Sequence, residues 1–219
     1  MGTGNRLKVY MAGPDVFLPN AMEIAAQKKK ILHAYGFEGL HPFDNEVDTS
    51  KFLPTEVSRI IKDANCGMMR GADVILANLT PYRGPSADAG TNYEVGFMDA
   101  LEKPVFGYAN TGLEFLERVA EFNGGSLKQD AQGAFCDAYK MAVENFGLTE
   151  NLMIEWAWRK TQGRNIVLCP VAEEDRYTSL VAFERAAKLM AKELLGRDLV
   201  FPQRGNPALE HARAAARLP

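Results

Sequence analysis

Cysteine is scarce in this sequence and badly placed for structural chemistry. The three residues, Cys66, Cys136 and Cys169, are odd in number, widely separated and outside any C-x-x-C spacing. That argues against a disulfide frame or a thiolate zinc site and for buried, reduced thiols. Histidine is equally thin: His33, His41 and His211 lack metal-ligand spacing, so no structural metal is expected. There is no long block of lysine and arginine, and the formal net charge is -3, which argues against a phosphate-backbone partner. No window approaches a membrane span, and no apolar run of signal-peptide length follows the polar stretch Met1 to Arg6. A cytoplasmic protein acting on a small molecule, with no nucleic-acid or membrane partner, is the expectation. Gly84-Pro85 and Gly90 form no phosphate loop, and a Ser/His/Asp acyl-transfer signature is missing.

What is present is the composition of an ordinary globular chain, 219 residues with 47% hydrophobic and 24% charged, enough for one core. A single domain over 1–219 is expected, with residues 196–219 as an extended tail. Leu7 to Ala12 (LKVYMA) reads as a strand stopped by Gly13-Pro14. A helix follows from Asn20, its cap, to Tyr35, with Gly36 as its stop and Lys28 to Lys30 as a solvated face. Phe37 to His41 predicts a second strand, Pro54 to Gly71 a second helix, and the continuous apolar run Asp73 to Leu79 a strand buried on both sides. A helix near Thr91 to Leu101, a strand at Val105 to Tyr108, a fifth strand within Asn165 to Val171 and a helix over Tyr177 to Leu195 complete the rhythm. Asn110 to Gly163 reads as mostly helical. The pattern predicts an α/β fold, a doubly wound, flavodoxin-like and mainly parallel five-stranded sheet with helices on both faces, whose binding crevice lies beyond the strand carboxyl ends.

The stretch Asp88-Ala-Gly-Thr-Asn-Tyr-Glu94 sets two carboxylates six residues apart across a loop-to-helix junction, directly after a buried strand. A carboxylate in the first turn of a helix is favoured as an anion by the backbone N–H groups, whereas one in the adjoining loop feels like-charge repulsion, so their proton affinities can separate. One could then attack and one donate a proton, the division of labour of retaining glycoside hydrolysis. Acidic residues also collect at helix starts for no catalytic reason, so the pair alone decides little.

The surrounding segments decide more. V-Y-M-A-G-P-D-V-F (Val9 to Phe17), P-F-D-N-E (Pro42 to Glu46), A-D-V-I-L-A-N-L (Ala72 to Leu79), D-A-G-T-N-Y-E-V-G-F (Asp88 to Phe97) and N-L-M (Asn151 to Met153) occur in an order that resembles the nucleoside 2-deoxyribosyltransferase family. The resemblance implies a cofactor-free glycosyltransferase of nucleoside salvage that swaps the base of a 2'-deoxynucleoside for a free nucleobase. It implies Glu94 as the nucleophile, Tyr10 as its hydrogen-bonding partner, and Asp88 and Asp73 as the catalytic acids near sugar and base. It also implies substrate contacts from Gly13, Asp15, Phe17, Asp44, Asn45, Glu46 and Gly90, with Phe17 as a base platform. Glu46 stands where one branch of the family has Gln, which bears on base preference because ionised Glu only accepts. Asn151 and Met153 match residues delivered from a neighbouring subunit, so a homo-oligomer is implied; an Asn at a helix start can equally serve as a cap.

Two alternatives stay open at the level of sequence. An N-glycoside hydrolase would send water to the same intermediate, and a binding module on the same scaffold would keep the acids for recognition only. Related deoxynucleoside monophosphate hydrolases hold phosphate with Ser and Arg in the first loop; Ala12 to Leu18 has neither, which favours an unphosphorylated nucleoside.

Overall fold

The computed structural model of the chain describes residues 6–45, 51–157 and 166–196. Its strands are β1 (Lys8–Ala12), β2 (Glu38–Leu40), β3 (Val74–Asn78), β4 (Val105–Ala109), β5 (Lys128–Gln129), β6 (Phe135–Cys136) and β7 (Ile166–Leu168). Its helices are α1 (Ala21–Ala34), α2 (Pro54–Gly71), α3 (Ala89–Ala100), α4 (Phe115–Phe122), α5 (Leu152–Glu155) and α6 (Val181–Leu195). The main sheet runs β2-β1-β3-β4-β7 and every pairing in it is parallel. The expected five-stranded, doubly wound α/β fold is therefore what forms. No helix among the described residues is long and apolar enough to cross a membrane.

Strand alternation gives the sheet two apolar faces. Val9, Leu76 and Phe106 face Leu32 of α1 and Phe183 and Met190 of α6. Tyr10, Ile75 and Ala77 face Met69 of α2 and Val95 and Met98 of α3. The chain leaves β1 for β2 on one side and returns to place β3 on the other, so the switch point opens between the loops that follow β1 and β3. The loop after β1 carries a short 3-10 turn, Pro14–Phe17. The loop after β3 leads into α3.

Two sequence expectations are corrected. Lys28 does not belong to a solvated face: its Nζ is buried 2.7 Å from Asp15 Oδ2 and lies over the rings of Tyr108 and Phe183. Ile24, Lys28 and Leu32 are spaced i, i+4, i+8, so Lys28 stands in the apolar stripe of α1, and only Asp15 makes its charge tolerable there. Nor is the described part of the Asn110 to Gly163 stretch, residues 110–157, mostly helical. After α4 the chain turns at Gly124 and Gly125, both with positive φ, into the β5–β6 hairpin. Asp130 closes that hairpin by accepting the Gln132 and Ala134 N–H groups. The C-terminal tail expected from 196 lies outside the described residues beyond Gly196.

Candidate active site

Tyr10 is the third residue of β1, and strand alternation turns its ring toward α2 and α3, where it is fully buried. Its hydroxyl donates to Glu94 Oε1 at 2.5 Å. Helix α3 starts at Ala89, so Asp88 is its N-cap: Oδ2 accepts from Thr91 N at 3.0 Å and Thr91 Oγ1 at 3.3 Å. Glu94 lies a turn further along. The electrostatic expectation is thereby reversed, because it is Asp88 that receives the helix N–H groups. Burial pushes the Glu94 carboxyl up to about 7; the Tyr10 hydroxyl opposes that rise and the Asp88 charge adds to it. Burial and the Glu94 charge in turn push the Tyr10 phenol far above its usual range, so it remains a donor.

Both carboxylates line a cleft of about 520 Å³, together with Gly90 and Thr91. One wall is apolar, formed by Val16, Phe17, Pro42, Phe43 and Ile61, and Asn45 and Asn65 supply neutral polar groups. An apolar cavity with a few convergent polar groups suits a flat, uncharged heterocycle. Among the described residues no His, Cys, Asp and Glu side chains converge in a group that could hold a metal ion.

Gly13 is required where it stands, because a Cβ there would lie 2.5 Å from Asp15 Oδ1 and 2.6 Å from Asn78 Cβ. Asp15 itself is buried and engaged. It accepts from Lys28 Nζ at 2.7 Å and from Asn78 Nδ2 at 3.1 Å, and although burial would raise its carboxyl, Lys28 and Asn78 hold it below the usual range. Asn78 Oδ1 accepts in turn from Thr80 N and Oγ1, and Thr80 Oγ1 accepts from Asn110 N. The chain of bonds fixes the loops after β1, β3 and β4 to one another. Phe17, 60% exposed at the cleft, stacks on Tyr82 with centroids 5.6 Å apart and planes at 10°. The Arg83 guanidinium lies over both rings, at 4.7 Å from Tyr82 and 5.6 Å from Phe17.

The remaining expected residues separate into those the fold brings to the cleft and those it does not. Asn45 lines it. Asp44 is used up beside it, accepting from His41 N at 2.8 Å and Lys29 Nζ at 2.5 Å. Glu46 lies outside the described residues. Asp73 is not brought to the cleft: it precedes β3, at the amino end of the sheet, and accepts from Lys8 N at 2.7 Å. The five residues of β3 separate it from the carboxyl-end loops, where Asp88 lines the cleft. Asn151 caps α5, with Oδ1 accepting from Met153 N at 3.0 Å and Nδ2 donating to Glu144 at 2.6 Å. Met153 is 71% exposed on the same short helix.

Sequence reasoning missed Asn65, Tyr82, Arg83 and Glu150. Glu150 is buried, ion-paired with Arg118 at 3.1 Å, and accepts from Ala87 N at 3.3 Å and Asn151 N at 3.2 Å. It thus ties the residue before Asp88 to α4 and to the start of α5. Asn65 could have been found from its place on α2, four residues before Met69 on the same face; Tyr82 and Arg83 sit in a loop with no periodicity to betray them.

Comparison with known proteins adds three findings. A family model described as nucleoside 2-deoxyribosyltransferase matches residues 9–153. An uncharacterised protein of Schizosaccharomyces pombe is 32% identical over 165 residues, covering 71% of this chain and 78% of its own. The solved structure of a 2-desoxiribosyltransferase from Leishmania mexicana is 26% identical and superposes with a TM-score of 0.52, covering 80% of this chain and 97% of that one.

Proposed function

The chain belongs to the nucleoside 2-deoxyribosyltransferase family, and from that premise we propose that it exchanges the nucleobase of 2'-deoxyribonucleosides through a covalent deoxyribosyl ester on Glu94. The observation that carries the reading is the buried Tyr10–Glu94 hydrogen bond of 2.5 Å at the wall of a cleft that also holds Asp88. A carboxylate fixed by a phenol presents its second oxygen in one direction, which is what in-line attack on an anomeric carbon needs.

In the first half-reaction Glu94 Oε2 bonds to C1' as the C1'–N bond breaks. The base departs with the electron pair and takes a proton from the Asp88 carboxyl, to which the proton that burial holds on Glu94 in the free enzyme passes as Glu94 ionises. In the second, a nitrogen of the incoming base attacks C1', its proton passes to the Asp88 carboxylate, and the Glu94 ester bond breaks. Two inversions give net retention. Glu94 must be ionised to attack, so the Tyr10 hydrogen bond serves both aim and charge. Phe17, stacked on Tyr82, is the platform for the base, as aromatic rings are for bases generally. Gly13 and Gly90 keep the cleft open beside the carboxylates, while Asp15 and Asp44 act through the loops they hold.

A second copy of the chain completes the assembly in this reading. Met153, on the helix capped by Asn151, and Trp156, just past its end, are exposed, an apolar patch of the kind that marks a subunit contact. The absence of serine and arginine between Ala12 and Leu18 supports an unphosphorylated deoxynucleoside as substrate.

Incubation with deoxyinosine and adenine, followed by chromatography, tests the proposal. Deoxyadenosine and hypoxanthine should appear together. Free deoxyribose without deoxyadenosine would make the protein a hydrolase, and no turnover with any of a panel of bases would sink the enzymatic reading.

A further inference from the structure

The cleft contains a pair of carboxamides whose orientation can be worked out from their surroundings. The Pro42 carbonyl oxygen can only accept, so the Asn45 atom 3.2 Å from it is the amide nitrogen. The Asn65 atom 3.1 Å from that same nitrogen is therefore the oxygen. Asn45 spends both N–H bonds, one on the turn after β2 and one on α2, and keeps Oδ1. Asn65 spends its oxygen and keeps Nδ2. Neither remaining atom has a partner among the described residues, yet both side chains line the cleft.

We propose that Asn65, locked by Asn45, is a specificity-determining residue that reads the hydrogen-bonding edge of the nucleobase, with Asn65 Nδ2 donating to a base acceptor and Asn45 Oδ1 accepting from the neighbouring base donor. The inference rests on the deoxynucleoside reading and adds to it the part of the cleft that recognises the base. The apolar wall of Val16, Phe17, Phe43 and Ile61 grips the faces of a planar ring without regard to its identity. Discrimination then falls to polar groups that cannot turn to suit the ligand. A free carboxamide flips at little cost, but this one cannot, because reversing Asn45 would set its oxygen against the Pro42 carbonyl. A fixed donor beside a fixed acceptor costs affinity for any base whose edge does not match, since a desolvated polar group would be left unpaired.

Asn65→Asp tests the assignment with little change of shape. One carboxylate oxygen still accepts from Asn45, and the other replaces the outward donor with an acceptor. Free adenine and hypoxanthine are titrated calorimetrically into the wild type, N65D and N65L, with melting curves recorded for each. In N65D the adenine to hypoxanthine affinity ratio should move toward adenine by roughly tenfold or more, because a 6-amino group can donate where a 6-oxo group repels. N65L, which offers neither function, should weaken the base whose edge the Asn65 donor matches more than the other, drawing the two affinities together. An unchanged ratio in N65D, or undiminished affinity in N65L, overturns the role of Asn65 while leaving base exchange in place. A wild type that binds neither base overturns the deoxynucleoside reading and this inference with it.

Discussion

The Tyr10 hydroxyl donates to Glu94 Oε1 at 2.5 Å, and that bond is the main favourable contact of an otherwise desolvated carboxylate. Tyr10→Phe removes it without altering the packing of the ring. The Glu94 carboxyl, already at about 7, should rise further, because the hydrogen bond favours the anion. The acid limb of kcat/KM against pH should therefore move upward, with a loss at neutral pH on the order of 10- to 100-fold. A pH-rate profile of the variant decides it. Loss of rate with an unmoved acid limb would leave the hydroxyl aiming Glu94 without setting its charge, and an unchanged rate would leave Tyr10 only a packing role.

The same shift has a consequence for stability. The Glu94 carboxyl is at about 7 in the folded protein against 4.5 as its ordinary value, so the fold binds this proton more tightly than the unfolded chain does. The stabilisation is fully present below 4.5 and is lost as pH rises through about 7. Glu94→Gln should match the wild type in denaturant unfolding at pH 4 and exceed it by about 2 kcal/mol at pH 8, a figure reduced for partial exposure of the carboxylate to water. A constant difference across that range would contradict the buried, proton-holding state.

Asp15 is buried with Lys28 on one oxygen and Asn78 on the other, the arrangement of a support for the loop after β1. Asp15→Asn strands a buried ammonium and should cost about 3–5 kcal/mol in urea unfolding. Adding Lys28→Met should recover most of the stability and, with it, the KM for deoxynucleoside. A single variant that keeps its stability but loses substrate affinity would restore Asp15 to the binding site.

Glu150 holds the backbone beside Asp88 through the Ala87 N–H. Glu150→Gln must set an amide N–H₂ either against the Arg118 guanidinium and the Ala87 N–H, which share Oε2, or against the Asn151 N–H on Oε1, and should cost about 3 kcal/mol. If Asp88 is the proton donor, kcat should fall more than KM rises, and the variant should slow Asp88→Asn no further. A double-mutant cycle with additive losses would assign Glu150 to stability alone.

The sheet was legible from residues because each strand carries its own punctuation: Gly13-Pro14 ends β1, and Lys103-Pro104 introduces β4. Glu94 and Asp88 were legible as a pair, but not which one takes the helix N-terminus, because a helix boundary two residues earlier than its periodicity suggests exchanges their environments. Asp73 shows the opposite failure. Its motif matched in order, yet a residue just before a strand and a residue just after it face opposite ends of the sheet. Lys28 was misread because its neighbours Lys29 and Lys30 are polar, whereas its i±4 neighbours Ile24 and Leu32 are not. Long-range partners such as Glu150 with Ala87, 63 residues apart, leave no local pattern.

The central claim is a covalent deoxyribosyl ester on Glu94, and the direct measurement is intact-protein mass spectrometry of enzyme mixed with a 2'-deoxynucleoside and quenched in acid before a second base is added. The account predicts a mass increase of one deoxyribosyl group, mapped by peptide digestion to Glu94, lost on addition of free base and absent in Glu94→Gln. An enzyme that exchanges bases while the adduct maps to another residue, or survives Glu94→Gln, would contradict it.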